Sequence, residues 1–252
     1  MGINRFYIRF YLQRMEGTVS ENFPYETIME GATSEEVAEF INWCDSWQKE
    51  QADILSAKFD TSKLNGKKIL FVGDSITADR LGYRGIVTKA AKMESRNSAI
   101  SGAISTDMFR YLPDKLQNFK PDIISVMIGT NDSLIIAGER NLVRKEEYRD
   151  NVARILKLSK QSGAAVVIST IPPTDESRFP AGNSSNNNAN IDEYCEIIRQ
   201  QADKYGVILN DFSKEAKGKD LQQLMLYDGI HLDKSGQAFF AECWMKAVLE
   251  AI

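Results

Sequence analysis

The sequence predicts a three-layer α/β/α domain built on a five-stranded parallel sheet, and three observations carry that reading. From residue 67 onward, short β-rich runs alternate with helical patterns, the arrangement of successive βαβ units. Those runs are close to continuously apolar rather than alternating, as expected where helices cover both faces of a sheet. The length of 252 residues, with 43 % apolar and 26 % charged side chains, suits one substantial core. A chain of this size buries about 70 to 75 % of its unfolded surface.

Taken in order, segment 3–12 is aromatic and basic, with Phe6, Tyr7, Phe10 and Tyr11 beside Arg5 and Arg9. It reads as an arm or edge strand packed on the main domain in preference to an interfacial membrane helix. Thr33 and Glu36 then form a capping-box pattern, followed by Val37, Phe40, Ile41, Cys44 and Trp47 at helical spacing. The chain divides on this basis into an N-terminal extension, 1–66, made of the arm and an amphipathic helix packed on the main domain, and the domain itself, 67–252. Within the latter the β-rich runs are 69–72, 95–100, 123–128, 165–171 and 207–210. Tyr148, Val152, Ile155 and Ser159 share one helical face that stops at Gly163. Asn190 and Glu193 cap a further helix that stops at Gly206, and a last helix over 235–251 buries Phe240, Cys243, Ala247 and Ala251. The stretch 183–190 (NSSNNNAN) reads as a polar loop too poor in apolar residues to pack.

Ligands in open α/β sheets bind beyond the carboxyl ends of the strands, so the residues that follow each strand matter most. They are Gly73-Asp74-Ser75 after the first run, Ser101-Gly102-Ala103 after the second and Gly129-Thr130-Asn131-Asp132 after the third. Past the fifth comes Asp228-Gly229-Ile230-His231, which holds the one histidine of the chain. A serine hydroxyl is a weak nucleophile until an imidazole accepts its proton, and the imidazole works best when a carboxylate fixes its tautomer. Ser75, His231 and Asp228 are the residues that can do this. Attack on an ester carbonyl develops an oxyanion, for which the N–H groups of Ser75 and Gly102 and the Asn131 side-chain amide are the available donors.

With these blocks in view, the chain resembles the SGNH, or GDSL-type, hydrolases. The four blocks stand in family order as GDSIT (73–77), NSAISG (97–102), GTND (129–132) and DGIHLD (228–233), within a resemblance covering about 67–252. It implies a flavodoxin-like sheet of order 2-1-3-4-5 and a serine esterase acting through an acyl-enzyme without metal or organic cofactor. In that scheme Ser75 is the nucleophile, His231 the base, Asp228 its orienter, and Gly102 and Asn131 the oxyanion donors. Family members cleave carbohydrate acetyl esters, lipid esters and thioesters, and an acyltransferase is a further alternative, because the same acyl-enzyme can be captured by an alcohol instead of water. Ala103 and Leu232 stand where an acidic residue and a proline are frequent in the family, whereas Gly236 keeps the register of the last block. The implied substrate is a small-molecule ester, and the polar 172–190 loop, which would cap the site with little apolar surface, makes a short acyl group on a carbohydrate-like alcohol the first choice.

Other classes fit less well. A single histidine excludes a His-rich zinc site within the chain. A metal held by Asp74, Asp132, Asp228 and His231 is a weaker alternative, as is a binding module on an inactive hydrolase scaffold. No G-x-S-x-G elbow, P-loop or dinucleotide fingerprint is present. The net charge of −4 predicts no nucleic-acid partner, and no apolar run approaches the length of a membrane span. Three widely spaced cysteines and an N-terminal stretch broken by Arg5, Arg9 and Arg14 predict a reducing, cytoplasmic setting.

Overall fold

A computed structural model of the chain describes Arg9, residues 34–179 and residues 186–252. The rest of the aromatic arm, Thr33 and the first three residues of the Asn-rich stretch lie outside these. The elements used below are α1 (Ser34–Lys58), β1 (Lys68–Gly73), α2 (Ser75–Ala78), α3 (Tyr83–Ala90), β2 (Glu94–Asn97), α4 (Ser105–Phe119) and β3 (Ile123–Met127). They continue with a small hairpin of β4 (Ile135–Ile136) and β5 (Arg140–Asn141), α5 (Lys145–Gln161), β6 (Ala165–Ser169), α6 (Asn188–Tyr205) and β7 (Ile208–Asn210). Short α7 (Phe212–Glu215) and α8 (Leu221–Leu224) precede the long closing helix α9 (Lys234–Ala251).

The main sheet has five strands in the order β2-β1-β3-β6-β7, all parallel; counting sheet strands alone, this is 2-1-3-4-5. Successive residues of a strand point to opposite faces, and here both faces are covered. Ile69 and Phe71 of β1 pack with Tyr83, Ile86, Phe240 and Trp244 on one side. Leu70 and Val72 pack with Met108, Tyr148, Val152, Ile155 and Ile198 on the other. That two-sided burial is why the strands read as unbroken apolar runs. The edge strand β2 is the exception: Glu94, Ser95 and Arg96 are exposed, and the strand ends at Asn97 rather than at 100. An edge strand has one pairing partner and less to cover it, so polar residues cost little there.

The helices follow their patterns with some shifts. Val37, Phe40 and Cys44 of α1 are buried, and this helix runs on to Lys58 and packs along α3. The predicted α5 face is buried at all four positions. In α6 the cap is Asn187, whose side chain accepts from the Asn190 N–H, so the expected cap at Asn190 moves three residues back. Gly206 ends that helix in a left-handed conformation. Phe240 and Cys243 of α9 are buried as expected, but Ala251 is exposed and Ala247 half-buried; Trp244 and Val248 hold the inner face instead. Helix α4 has no counterpart in the sequence reading. Pro113 interrupts its pattern, yet Met108, Leu112 and Phe119 anchor one face in the core. Among the described residues, no helix is long and apolar enough to cross a membrane.

Candidate active site

The carboxyl ends of β1, β2 and β3 and the loop before α9 meet at one end of the sheet. Ser75 opens the single turn α2 directly after β1, and Asp74 caps that turn by accepting the Ile76 N–H at 3.1 Å. A Cβ at Gly73 would stand 2.2 Å from the Met127 carbonyl oxygen, so only glycine lets β1 run this close to β3 just before the serine. Burial pushes the Asp74 carboxyl up to about 6, against the opposing effect of the Ile76 and Thr130 contacts.

His231 enters from a tight loop closed by the Met225–Leu232 bridge and by the Leu226 N–H donating to the His231 carbonyl at 2.7 Å. Asp228 sits at the tip of this loop. Its Oδ1 accepts the backbone N–H groups of Ile230 and His231 at 2.9 and 3.0 Å, and its Oδ2 lies 2.7 Å from His231 Nδ1. Burial alone would raise the Asp228 carboxyl; the His231 ring and these N–H groups outweigh it and hold the group below the usual carboxylate range. An ionised carboxylate only accepts, so Nδ1 carries the ring proton and Nε2 presents its lone pair. That lone pair faces the Ser75 hydroxyl, with Oγ to Nε2 at 2.8 Å. The three residues picked out along the sequence therefore form one continuous relay.

The two other selected residues flank the serine from the neighbouring strands. Gly102 is exposed with φ of +80°, a backbone state that a side chain would disfavour. Asn131 donates from Nδ2 to the Ala103 carbonyl at 2.9 Å, which ties it to the loop holding Gly102. An amide nitrogen carries two N–H donors, so this bond leaves one for a ligand. Asp132, next in sequence, turns away from the surface: both carboxylate oxygens accept the Ser105 N–H, and Ser105 Oγ donates to Oδ1 at 2.5 Å. Asn151 completes this network by donating to Ser105 Oγ at 3.0 Å. Burial pushes Asp132 up to about 7, partly offset by the Ser105 bonds. Asp74, Asp132 and Asp228 thus serve three different partners, the Ile76 N–H, Ser105 and His231.

Several contributors were not legible as site residues. Asn188 pairs with both the N–H and the carbonyl of Thr174 at 2.8 Å, and Asn190 donates to the Ser133 carbonyl beside the Asn131 loop. The described part of the Asn-rich stretch is therefore a structural tie between loops, correcting its reading as a loop that cannot pack. Asn side chains achieve this because each presents a donor and an acceptor in the geometry of a peptide group. The Thr174 loop in turn reaches the base loop, with the Asp175 N–H donating to the Gly229 carbonyl at 2.8 Å and Arg178 Nη1 to the Met225 carbonyl at 3.1 Å. Arg9 donates to Asp79 and to the Leu232 carbonyl, one residue past His231. Such long-range pairs carry no local sequence signal.

Comparison with known proteins bears on the family and the fold. The chain is 27 % identical over 140 residues to a multidomain esterase of Ruminococcus flavefaciens, a match spanning 54 % of this chain and 16 % of that much longer protein. It is 27 % identical over 191 residues to an arylesterase of Vibrio mimicus, covering 70 % of this chain and 85 % of the relative. In fold it is similar to a catalytic mutant of an acetylxylan esterase from Geobacillus stearothermophilus, with a TM-score of 0.61, 21 % identity, and coverage of 73 % of this chain and 94 % of that one. The GDSL-like Lipase/Acylhydrolase profile matches residues 71–239, from the middle of β1 into α9, and so takes in every strand end described above. With the match spanning more than half of the chain, the chain belongs to the GDSL-like Lipase/Acylhydrolase family of ester hydrolases.

Proposed function

We propose that the protein is a serine esterase that removes short acyl groups, acetyl foremost, from a carbohydrate-like alcohol through an acyl-enzyme on Ser75. The observation that carries this is the unbroken relay from Ser75 Oγ through His231 to Asp228. As Oγ attacks the ester carbonyl carbon, its proton passes to His231 Nε2, and the imidazolium is stabilised by the Asp228 carboxylate. The N–H groups of Ser75 and Gly102 and the free Asn131 N–H receive the developing oxyanion. Collapse of the tetrahedral adduct expels the alcohol, which takes the proton from Nε2. Water then attacks the acyl-enzyme with His231 again as base, and the carboxylic acid leaves with Ser75 restored.

The choice of acyl group and alcohol leans on the acetylxylan esterase of similar fold and on the polar side chains of the loops around the serine. A reducing, cytoplasmic setting is supported by three free, buried cysteines. Burial raises each of these thiols to about 12, which keeps them protonated and inert.

Organophosphonate labelling tests the mechanism. Intact mass should show one adduct, mapping to Ser75, and Ser75→Ala should lose both the adduct and ester hydrolysis while keeping its melting temperature. Absence of an adduct on folded protein, or its location on another serine, overturns the reading. A series of p-nitrophenyl esters from acetyl to dodecanoyl, run beside acetylated xylan, tests the substrate. Rates that climb with chain length would replace the short-acyl assignment by a lipase.

A further inference from the structure

Two separate stretches of chain must be held together for Ser75 Oγ and His231 Nε2 to stay 2.8 Å apart. The nucleophile sits on the one-turn helix α2, and the base on the loop before α9. Asp79 ends the nucleophile turn: its own N–H donates to the Ser75 carbonyl at 2.9 Å, and its carboxylate accepts the Leu81 N–H at 3.0 Å and Gln237 Nε2 at 2.9 Å. The same carboxylate receives the Arg9 guanidinium as a fork, Nε at 2.8 and 2.9 Å and Nη2 at 2.7 Å. Arg9 Nη2 also donates to the Leu232 carbonyl at 2.8 Å, on the residue that follows His231. The Arg9 carbonyl in turn accepts the Arg80 N–H at 2.8 Å, so backbone and side chain both grip the nucleophile turn.

We propose that Arg9 is a positioning residue of the active site, joining the end of the nucleophile turn to the base loop and thereby setting the distance between Ser75 and His231. The inference rests on the serine-esterase reading above. Its physical basis is the shape and burial of the pair. The Arg9 side chain is 10 % exposed and that of Asp79 is 0 % exposed. A buried guanidinium with a planar fork of donors defines distance and angle at once, which the single ammonium of a lysine does not. Ion pairs buried this deeply contribute little net stability, because desolvation offsets the attraction, and geometric specification is the better-attested reason to keep them. Catalysis is sensitive to this kind of specification: a misplacement of about 1 Å can cost about 10²-fold in rate. Gln237 supplies a second brace, linking Asp79 and the Ile76 carbonyl to α9, but its bonds end on α9 and on the nucleophile side. The Arg9 contact reaches the base loop itself. On this reading the first 66 residues supply a working part of the site rather than a spectator extension.

The test compares Arg9→Met, Arg9→Lys and the double variant Arg9→Met/Asp79→Asn with the wild type, all well below their melting temperatures. Arg9→Met should lower kcat on p-nitrophenyl acetate about 10- to 100-fold at nearly unchanged KM, and slow phosphonate labelling of Ser75 by the same factor. Arg9→Lys should recover only part of the rate, because charge is kept and the fork is lost. The double variant leaves no unpaired buried charge, so it tests position apart from stability. It should melt closer to the wild type than Arg9→Met yet label as slowly. Labelling within twofold of wild type in a folded Arg9→Met, or in the double variant should the single one fail to fold, overturns the proposal. A wild type that fails to label at Ser75 overturns the esterase mechanism instead, so the two failures are distinguishable.

Discussion

Asn131 shows how much one side chain has to do at this site. Its amide holds the Ala103 carbonyl with one N–H, and its backbone carbonyl accepts the Leu134 N–H at 3.2 Å. The side chain is thereby fixed before any ester arrives, which is what preorganised stabilisation of an oxyanion requires. Replacing Asn131 by Ala should lower kcat by about 10²- to 10³-fold, equivalent to about 2.7 to 4 kcal/mol of barrier, with a small change in KM. Steady-state kinetics on p-nitrophenyl acetate decide this, and a loss carried by KM alone would remove Asn131 from the oxyanion site. The candidates Ser75, Gly102, Asn131, Asp228 and His231 could be picked out in the sequence because each lies within one of the four recognisable blocks. Arg9, Asp79 and Arg178 were not, since their significance lies in partners far along the chain, 70 residues away for Arg9 and Asp79.

At the scale of elements, the turns after the strands carry the strictest demands. Gly129 has φ of +132°, and a Cβ there would stand 2.5 Å from Tyr148 Oη and 2.7 Å from Ile171 Cδ1. Tyr148 cannot simply move aside, being fully buried and bonded through Oη to the Ile128 carbonyl at 2.8 Å. Gly129→Ala combines backbone strain with overpacking and should cost about 3 kcal/mol, lowering the melting temperature by about 6 to 12 °C. Gly163, with φ of +82° and nothing within 4 Å of a Cβ, is the control. Gly163→Ala carries the backbone penalty alone, about 1 to 2 kcal/mol. Equal melting shifts in the two variants would refute the packing account. The elements themselves were mostly readable from period and composition. Helix α4 escaped because Pro113 breaks its pattern, and β2 was drawn to 100 because the chain keeps hydrogen-bonding to β1 past the strand's end at Asn97, the Ser98 and Ile100 N–H groups donating to the Phe71 and Gly73 carbonyls.

Across the whole molecule, the buried carboxyls make stability depend on pH. Asp132 and Asp74 are raised by burial to about 7 and about 6. A group whose folded pKa lies above its unfolded value, about 3.9 for Asp, lends stability that is complete below the unfolded value and is lost as pH rises through the folded one. Both carboxyls therefore favour the folded state on the acid side, and their contribution fades between about pH 4 and pH 7. Asp132→Asn should flatten this decline, bringing the variant's melting temperature closer to that of the wild type, or above it, as pH increases over that interval. Melting curves at fixed ionic strength measure it, and a constant gap between variant and wild type across the interval would contradict the assignment. Asp228 works in the opposite direction. Its carboxyl is held low, so its contribution to stability is present above the ordinary carboxylate value and is lost as pH falls through the lowered one.

The sequence by itself determined the layer architecture, through hydrophobic period, and picked out Ser75, His231 and Asp228, through short blocks in which neighbours in sequence are neighbours in space; the order of the sheet came from the family resemblance that those blocks carry. Asp228 and His231 are three residues apart on one loop, and Ser75 starts the turn that β1 runs into. Only the tertiary structure decided how those blocks are held in register. The ties from Asn188 and Asn190 across the loops, from Arg178 to the base loop and from Arg9 to Asp79 and Leu232 all join segments whose proximity exists only once the sheet is assembled. A hydrogen bond depends on distance and angle in space, and neither is encoded in the spacing of residues along a chain.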